Sequence, residues 1–271
     1  MILLNGSEIQ IRRRFPDGTF SFPVPREQLS YKWHSKEHAE IAWKYENEEE
    51  MAALYYITQH IRRQLGVKRI TLYLPYCPNA RLDRVHHEHE VFTLKYFAEF
   101  INSLEFESVH VLDPHSNVTT ALINNCKVLS PECYIRNTMS DINDSELLLF
   151  YPDEGAMKRY SDMIKAPYGF GIKQRCWETG EIMGLDVVCE AGIEGKNVLI
   201  VDDICCRGGT FLHSAKELRK LGAKNVFAFC THCEHTIFEG DLLTTNFVDH
   251  IYTTDSIFRW EHEKITTFPL S

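Results

Sequence analysis

Two adjacent carboxylates, Asp202 and Asp203, close an apolar run (Val198–Val201) and lead into Cys206-Arg207-Gly208-Gly209-Thr210. An amphipathic stretch follows from about Phe211 to Leu221. A buried strand, a glycine turn and a helix start, in that order, make an anion site. Backbone N–H groups point inward, the helix dipole favours negative charge, and glycine lets a ligand reach the main chain. The paired acids suit the hydroxyls of a sugar, or a metal beside it. Phosphate on one side and a diol on the other describe a ribose 5-phosphate pocket.

Other segments carry charge at suggestive spacing. Lys173 and Arg175 lie two residues apart, so an extended segment turns both to one side and sets a point charge and a planar fork on one phosphoryl group. Upstream lie Arg14-Phe15-Pro16-Asp17-Gly18-Thr19, then Pro75-Tyr76-Cys77-Pro78-Asn79-Ala80-Arg81-Leu82-Asp83-Arg84. Further on come Asp113-Pro114-His115-Ser116 and Tyr151-Pro152-Asp153-Glu154-Gly155-Ala156-Met157-Lys158-Arg159.

The loop at 202–210 resembles the type I phosphoribosyltransferase fingerprint. The full set, in this order, resembles the ribose-phosphate pyrophosphokinases (phosphoribosyl pyrophosphate synthetases) from about residue 12 to 258. Thr231-His232 and Thr253-Thr254-Asp255-Ser256-Ile257 add smaller echoes. The resemblance implies an α/β fold of two tandem phosphoribosyltransferase-like domains with parallel sheets flanked by helices. It implies transfer of the β,γ-diphosphoryl group of ATP to the 1-hydroxyl of ribose 5-phosphate, with Mg²⁺ as cofactor and AMP as second product.

It also distributes roles. Phe15, Asp17 and Thr19, with Arg81, Leu82, Asp83 and Arg84, would bind ATP, the first group reaching the adenine of a neighbouring subunit's nucleotide. His115, Asp153 and Asp113 would hold the metal. Asp202, Asp203, Cys206, Arg207, Gly208, Gly209 and Thr210 would bind the sugar phosphate, and Lys173 and Arg175 would be catalytic. A homodimer or higher homo-oligomer follows from the shared nucleotide site.

The departures matter. Family members usually carry another strand and helix before the Phe-x-Asp-Gly element, so the resemblance implies a trimmed N-terminal domain. Thr19 stands for a glutamate and Leu82 for a glutamine, so adenine contacts must differ. Cys206-Arg207 replaces the usual Asp-Thr, exchanging a hydroxyl for a longer bidentate donor. The acceptor could then be larger than ribose 5-phosphate. Short phage-encoded relatives in NAD-rebuilding pathways include ADP-ribose pyrophosphokinases, and this chain resembles that kind. Two other classes remain: a phosphoribosyltransferase, which needs neither Asp113-Pro114-His115 nor Lys173-Gln174-Arg175, and a silent relative, which should have lost part of the charged set.

Two clusters point elsewhere. His86-His87-Glu88-His89-Glu90 has the residue types of a metal site, yet it follows the nucleotide loop directly and reads as a polar loop beside it. Cys230-Thr231-His232-Cys233-Glu234-His235 offers four potential zinc ligands, but a structural zinc draws on two separated pairs and only one lies here, so a strand-end turn is the expectation.

The elements that must position these residues alternate as an α/β protein should. A hairpin-like start (2–24) precedes an aromatic segment with Trp33 and Trp43, then a helix (48–65), a strand (69–74), a helix (91–104) and a strand (108–112). Pro131 and Asn143-Asp144-Ser145 break the pattern near 131–145, giving domains of 1–138 and 139–271. Strand 146–151, helix 155–164, strand 168–173, strand 197–202, helix 211–221 and strand 225–230 complete the plan.

The chain has 271 residues, 44% of them hydrophobic, which is ample for packed cores. A net charge of −9 argues against a nucleic-acid surface. With no long apolar run, no membrane partner is expected. Nine cysteines, an odd number, suit reduced thiols and a cytoplasmic location.

Overall fold

The computed structural model describes residues 1–11, 13–24, 37–85, 87–175 and 182–270. The segment around Trp33 and residue His86 lie outside the described residues, and so do the side chains of Lys173 and Arg175. The chain divides into two compact units, Met1–Ser130 and Pro131–Ser271.

In the first unit, β1 (Ile2–Leu4), β2 (Ser7–Ile9), β5 (His38–Trp43), β6 (Arg69–Leu74), β7 (Ser108–Leu112) and β8 (Cys126–Leu129) form one sheet in the order β2-β1-β5-β6-β7-β8. β5 to β8 run parallel, while β1 is antiparallel to both its neighbours. β3 (Arg13–Arg14) and β4 (Phe20–Ser21) make a separate hairpin. Parallel neighbours need crossovers, and α1 (Glu50–Gln64), α2 (Thr93–Ser103) and α3 (Asn117–Leu122) supply them.

α1 buries Ala53, Leu54, Ile57 and Ile61, a stripe at helical spacing. α2 buries Leu94, Phe97, Ala98 and Ile101 in the same way. Each such leucine or isoleucine contributes about 1.5–3 kcal/mol on leaving water. Glu50 is buried but satisfied, accepting from Trp43 Nε1 at 2.8 Å and Glu46 N at 2.9 Å. Arg62 of α1 donates to the carbonyls of Leu104 and Glu105 just past α2, at 2.8 and 2.9 Å, closing orphan acceptors at that helix end.

In the second unit, β9 (Leu148–Tyr151), β10 (Tyr168–Arg175), β11 (Ile182–Val188), β12 (Asn197–Cys205), β13 (Asn225–Cys233), β14 (His250–Thr254) and β15 (Ile265–Phe268) are ordered β11-β10-β9-β12-β13-β14-β15. Only β11 is antiparallel to its neighbour. The helices are α4 (Glu132–Ile142), α5 (Glu154–Tyr160) and α6 (Gly209–Lys220), with a short 3₁₀ helix at His235–Glu239. α4 fills the stretch where the sequence pattern breaks, and Asn143 in the left-handed region ends it.

Three expectations need correction. Residues 38–43, read as part of an irregular aromatic segment, form a central strand of alternating burial. The strand that carries the paired acids does not end on them but runs on to Cys205. Its neighbour likewise continues through Cys233, so Cys230–Cys233 is strand and not a turn. In both, the ladder to the adjacent parallel strand satisfies the backbone past the last aliphatic residue.

Chain order places the chemistry. From β9 the chain crosses through α5 to β10 on one side. From β12 it crosses through α6 to β13 on the other, and β9 and β12 are themselves neighbours. That is a topological switch point, where the carboxyl ends of parallel strands open a crevice for ligands.

Candidate active site

At this switch point the end of β9 delivers Asp153 and the end of β12 delivers Asp202 and Asp203. Asp153 caps α5, its Oδ1 accepting from Ala156 N at 3.0 Å. Asp203 is 4% exposed and is paired with Arg159, whose guanidinium NH1 lies 3.0 Å from Oδ2. Asp202 Oδ1 accepts from the backbone N–H of Asp203 at 3.0 Å. Burial, then the charges of Asp203 and Asp153, push the Asp202 carboxyl well above the usual carboxylate range. Among the described residues three acids thus lie together here with Arg159 beside them, and this set of hard oxygen donors fits a divalent cation such as Mg²⁺.

The glycine turn is held from behind. Gly208 has φ +76, and a Cβ there would strike the Leu242 side chain at 2.6 Å. A Cβ on Gly240 would sit 2.0 Å from the Arg207 carbonyl oxygen. The turn therefore lies flush on the segment around 240–242, and α6 begins directly after it at Gly209. Cys206 Sγ lies 3.2 Å from the Thr236 hydroxyl, and Arg207 reaches Glu239 at 2.8 Å, so both side chains are tied to the 3₁₀ helix. Gly209 and Thr210 open α6, presenting first-turn N–H groups.

Lys173 and Arg175 lie on β10, paired with Leu185 and Ile182 of β11, and the register shifts between Gln174 and Arg175. The expectation that their side chains share one face concerns atoms outside those described. The strand itself is held against the site. A Cβ on Gly171 would meet the Pro152 carbonyl oxygen at 2.7 Å, one residue before Asp153.

In the first unit the ends of neighbouring strands β6 and β7 carry the nucleotide loop and the Asp113–Ser116 turn. The structure brings these together. Asp83 is held below the usual carboxylate range by its hydrogen bond from Arg84, helped by His115 and the Ser116 hydroxyl. Arg84 Nε donates to Asp83 Oδ1 at 2.9 Å. Leu82 sits in a turn, its N–H donating to Asn79 O at 3.0 Å, and Arg81 is exposed beside it. Asp113 is buried with φ +42, its N–H donating to Leu129 O at 3.1 Å. The Phe15–Thr19 turn closes on itself. Asp17 Oδ1 accepts from Thr19 N at 3.0 Å and from Thr19 Oγ1 at 2.7 Å, which lowers its pKa, and the Phe15 ring is 55% exposed.

No family model matches the chain. Its sequence is similar to curated ribose-phosphate pyrophosphokinases. The Pyrococcus abyssi protein is 33% identical over 173 residues, 62% of this chain and 59% of that one. For Saccharolobus solfataricus the figures are 29% over 192 residues, 69% and 65%. For Thermococcus kodakarensis they are 28% over 234 residues, 83% and 77%. The chain is thus similar in sequence to ribose-phosphate pyrophosphokinases along most of its length. In the first two comparisons the matched region spans less than two thirds of the relative's length. The fold is also that of a solved phosphoribosylpyrophosphate synthetase from Mycobacterium smegmatis, with TM-score 0.72 at 19% identity, covering 95% of this chain and 84% of that one.

Within this pyrophosphokinase relative, sequence reasoning assigned no role to Arg159, Glu239, Gly240 or Leu242. Arg159 stands in the quoted 151–159 segment, but its contact is with Asp203 on another strand, which local spacing does not show. The other three reach the turn from 30 or more residues away, and no local pattern announces them.

Proposed function

We propose that the protein transfers the β,γ-diphosphoryl group of ATP to the anomeric hydroxyl of ribose 5-phosphate, giving phosphoribosyl pyrophosphate and AMP. The observation that carries this is the pairing, at a switch point, of a locked glycine turn with two adjacent acids in different environments. Asp203 is ion-paired with Arg159, and burial and the neighbouring acids push the Asp202 carboxyl up.

The 5-phosphate lies on the N–H groups that open α6, and the acids accept from the sugar diol, which aims the 1-hydroxyl outward. ATP is bound by the loops of the first unit, with Arg81 and Arg84 on its phosphates, the Phe15 ring of a second copy on its base, and His115 and Asp113 beside its metal. The sugar oxygen attacks the β-phosphorus. That O–P bond forms as the bond from the α,β-bridging oxygen to the β-phosphorus breaks, AMP leaves with the bridging oxygen, and the hydroxyl proton goes to solvent. Lys173 and Arg175 neutralise charge on the transferring group. Asp153 would help hold Mg²⁺, which when bound would supply charge neutralisation at the phosphate oxygens.

The test is AMP release from ATP and Mg²⁺ with ribose 5-phosphate, and ADP-ribose in parallel, products identified by mass. AMP with ribose 5-phosphate and loss of turnover in Asp203→Asn support the reading. AMP with ADP-ribose alone replaces the acceptor. No AMP with either acceptor removes the reading.

A further inference from the structure

Behind the sugar-phosphate turn lie three thiols that the proposed chemistry does not use. Cys205 ends β12, while Cys230 and Cys233 stand three residues apart on β13. Their Sγ atoms all lie within 4.8 Å of one another, and none of the three residues is more than 1% exposed. Cys205 and Cys233 are direct partners in the parallel register. Their other contacts are long. Cys205 donates toward Cys206 O at 3.9 Å, Cys233 toward Glu234 O at 3.8 Å, and Cys230 toward the Thr253 hydroxyl at 3.7 Å. Among the described residues this is the one group of three or more ligating side chains drawn so close.

Cys230-x-x-Cys233 is half of a zinc-type ligand set, and in the sequence it lacks a second pair. The fold supplies another ligand from the adjacent strand. Sulfurs bound tetrahedrally at about 2.3 Å from a cation stand roughly 3.8 Å apart, so the observed grouping closes with small side-chain movements. An all-sulfur set selects a soft ion and rejects Mg²⁺. Charge narrows the choice further. Three thiolates leave −1 around a divalent ion and −2 around a monovalent one, and Asp202 and Asp203 stand three and two residues ahead of Cys205. The divalent ion costs less beside them.

We propose that Cys205, Cys230 and Cys233 bind one Zn²⁺, which staples the ends of β12 and β13 under the sugar-phosphate turn. On binding, three S–H groups lose their protons to solvent and three S–Zn bonds form, with no electron transfer. Among the described residues no fourth His, Cys, Asp or Glu joins the group, so one coordination position is left to a small ligand. Because Cys205 adjoins Cys206 and Arg207, loading the ion stiffens the start of the turn and raises thermal stability.

The experiment uses the full chain. Metal is first counted by elemental analysis after purification without chelators, and the chelator-stripped protein is then titrated with Co²⁺ and Zn²⁺. Expected are one equivalent per chain, a thiolate-to-cobalt charge-transfer band that Zn²⁺ removes, release of three protons per Zn²⁺, and a higher Tm. Cys230→Ser and Cys233→Ser should lose the band, and Cys133→Ser, on the exposed face of α4, should keep it. Absence of the band, or a band untouched by both substitutions, overturns the site. Should the variants not fold, band intensity and proton count on the unaltered chain decide alone. Fewer than three thiolates and three protons rejects the proposal. Every readout here is independent of ATP turnover.

Discussion

The two ends of the machinery are built differently. In the second unit, the turn at 206–210 is pinned by Leu242 and the Gly240 backbone, its acids are neighbours inside a strand, and Asp203 is ion-paired out of water. In the first unit the corresponding groups are on the surface: Phe15, Arg81 and Arg84 are exposed, and Asp17 and Asp83 spend their carboxylates on adjacent residues. A pocket for a small, rigid sugar phosphate can be made in advance, and pre-formed geometry lowers the ordering cost of binding. If the exposed arginines of the 75–84 loop bind nucleotide as proposed, their contacts to it form only when the ligand arrives.

The largest effect expected from this contrast concerns glycine. Gly240→Ala must push the Arg207 carbonyl aside, costing about 3 kcal/mol of stability and most of the affinity for sugar phosphate. Gly18→Ala, in the first unit's turn, meets nothing within 4 Å and should cost about 1–2 kcal/mol through its positive φ alone. Denaturant midpoints of both variants check the pair. Equal losses would erase the distinction.

Arg159→Met comes next. It takes the Arg159 guanidinium away from the buried Asp203 carboxylate, so a loss of about 2–4 kcal/mol is expected, with kcat/KM for the acceptor falling more than that for ATP. Arg159→Lys should recover part of it. Removing Arg84 from the exposed Asp83 pair should leave stability within about 0.5 kcal/mol, because surface pairs contribute little.

The two carboxylates also give opposite pH slopes. Asp202 is raised above 3.8, so its contribution is complete below that value and is lost as pH rises through the higher folded value. Asp83 is lowered from 3.8, so its contribution is present above that value and is lost as pH falls. Thermal melts across pH should show Asp202→Asn flattening the decline toward neutral pH and Asp83→Asn flattening the acid limb. The same slope in both variants would refute the assigned environments. Smallest in stability, though not in turnover, is Asp17→Ala. The Thr19 contacts it loses are exposed, so melting should shift little. Mixing this variant with Lys173→Ala subunits should restore part of the activity if Asp17 acts in a neighbour's site. Exchange without recovery would argue against a shared site.

How much of this was legible in the sequence follows the same divide. Strands 69–74 and 108–112 were readable because aliphatic runs end at clear turns, and the acids of β12 declared themselves as neighbours. The strand ends were misread because Asp202, Asp203 and Thr231 look like loop, whereas a parallel ladder carries functional residues inside its last turnless stretch. β5 was missed because His38, Glu40 and Ala42 dilute its pattern, although Ala39, Ile41 and Trp43 alternate correctly. Arg159 on Asp203, Gly240 under Arg207, and Cys205 beside Cys233 are pairings across the fold, which local spacing cannot state.

The most direct test of the central claim is phosphorus NMR of ATP, Mg²⁺ and ribose 5-phosphate with the purified chain. Transfer of an intact diphosphoryl group predicts AMP and a sugar 1-diphosphate rising in equal amounts, with no ADP and no free phosphate. ADP with a singly phosphorylated product, or an unchanged ATP spectrum, would contradict the account.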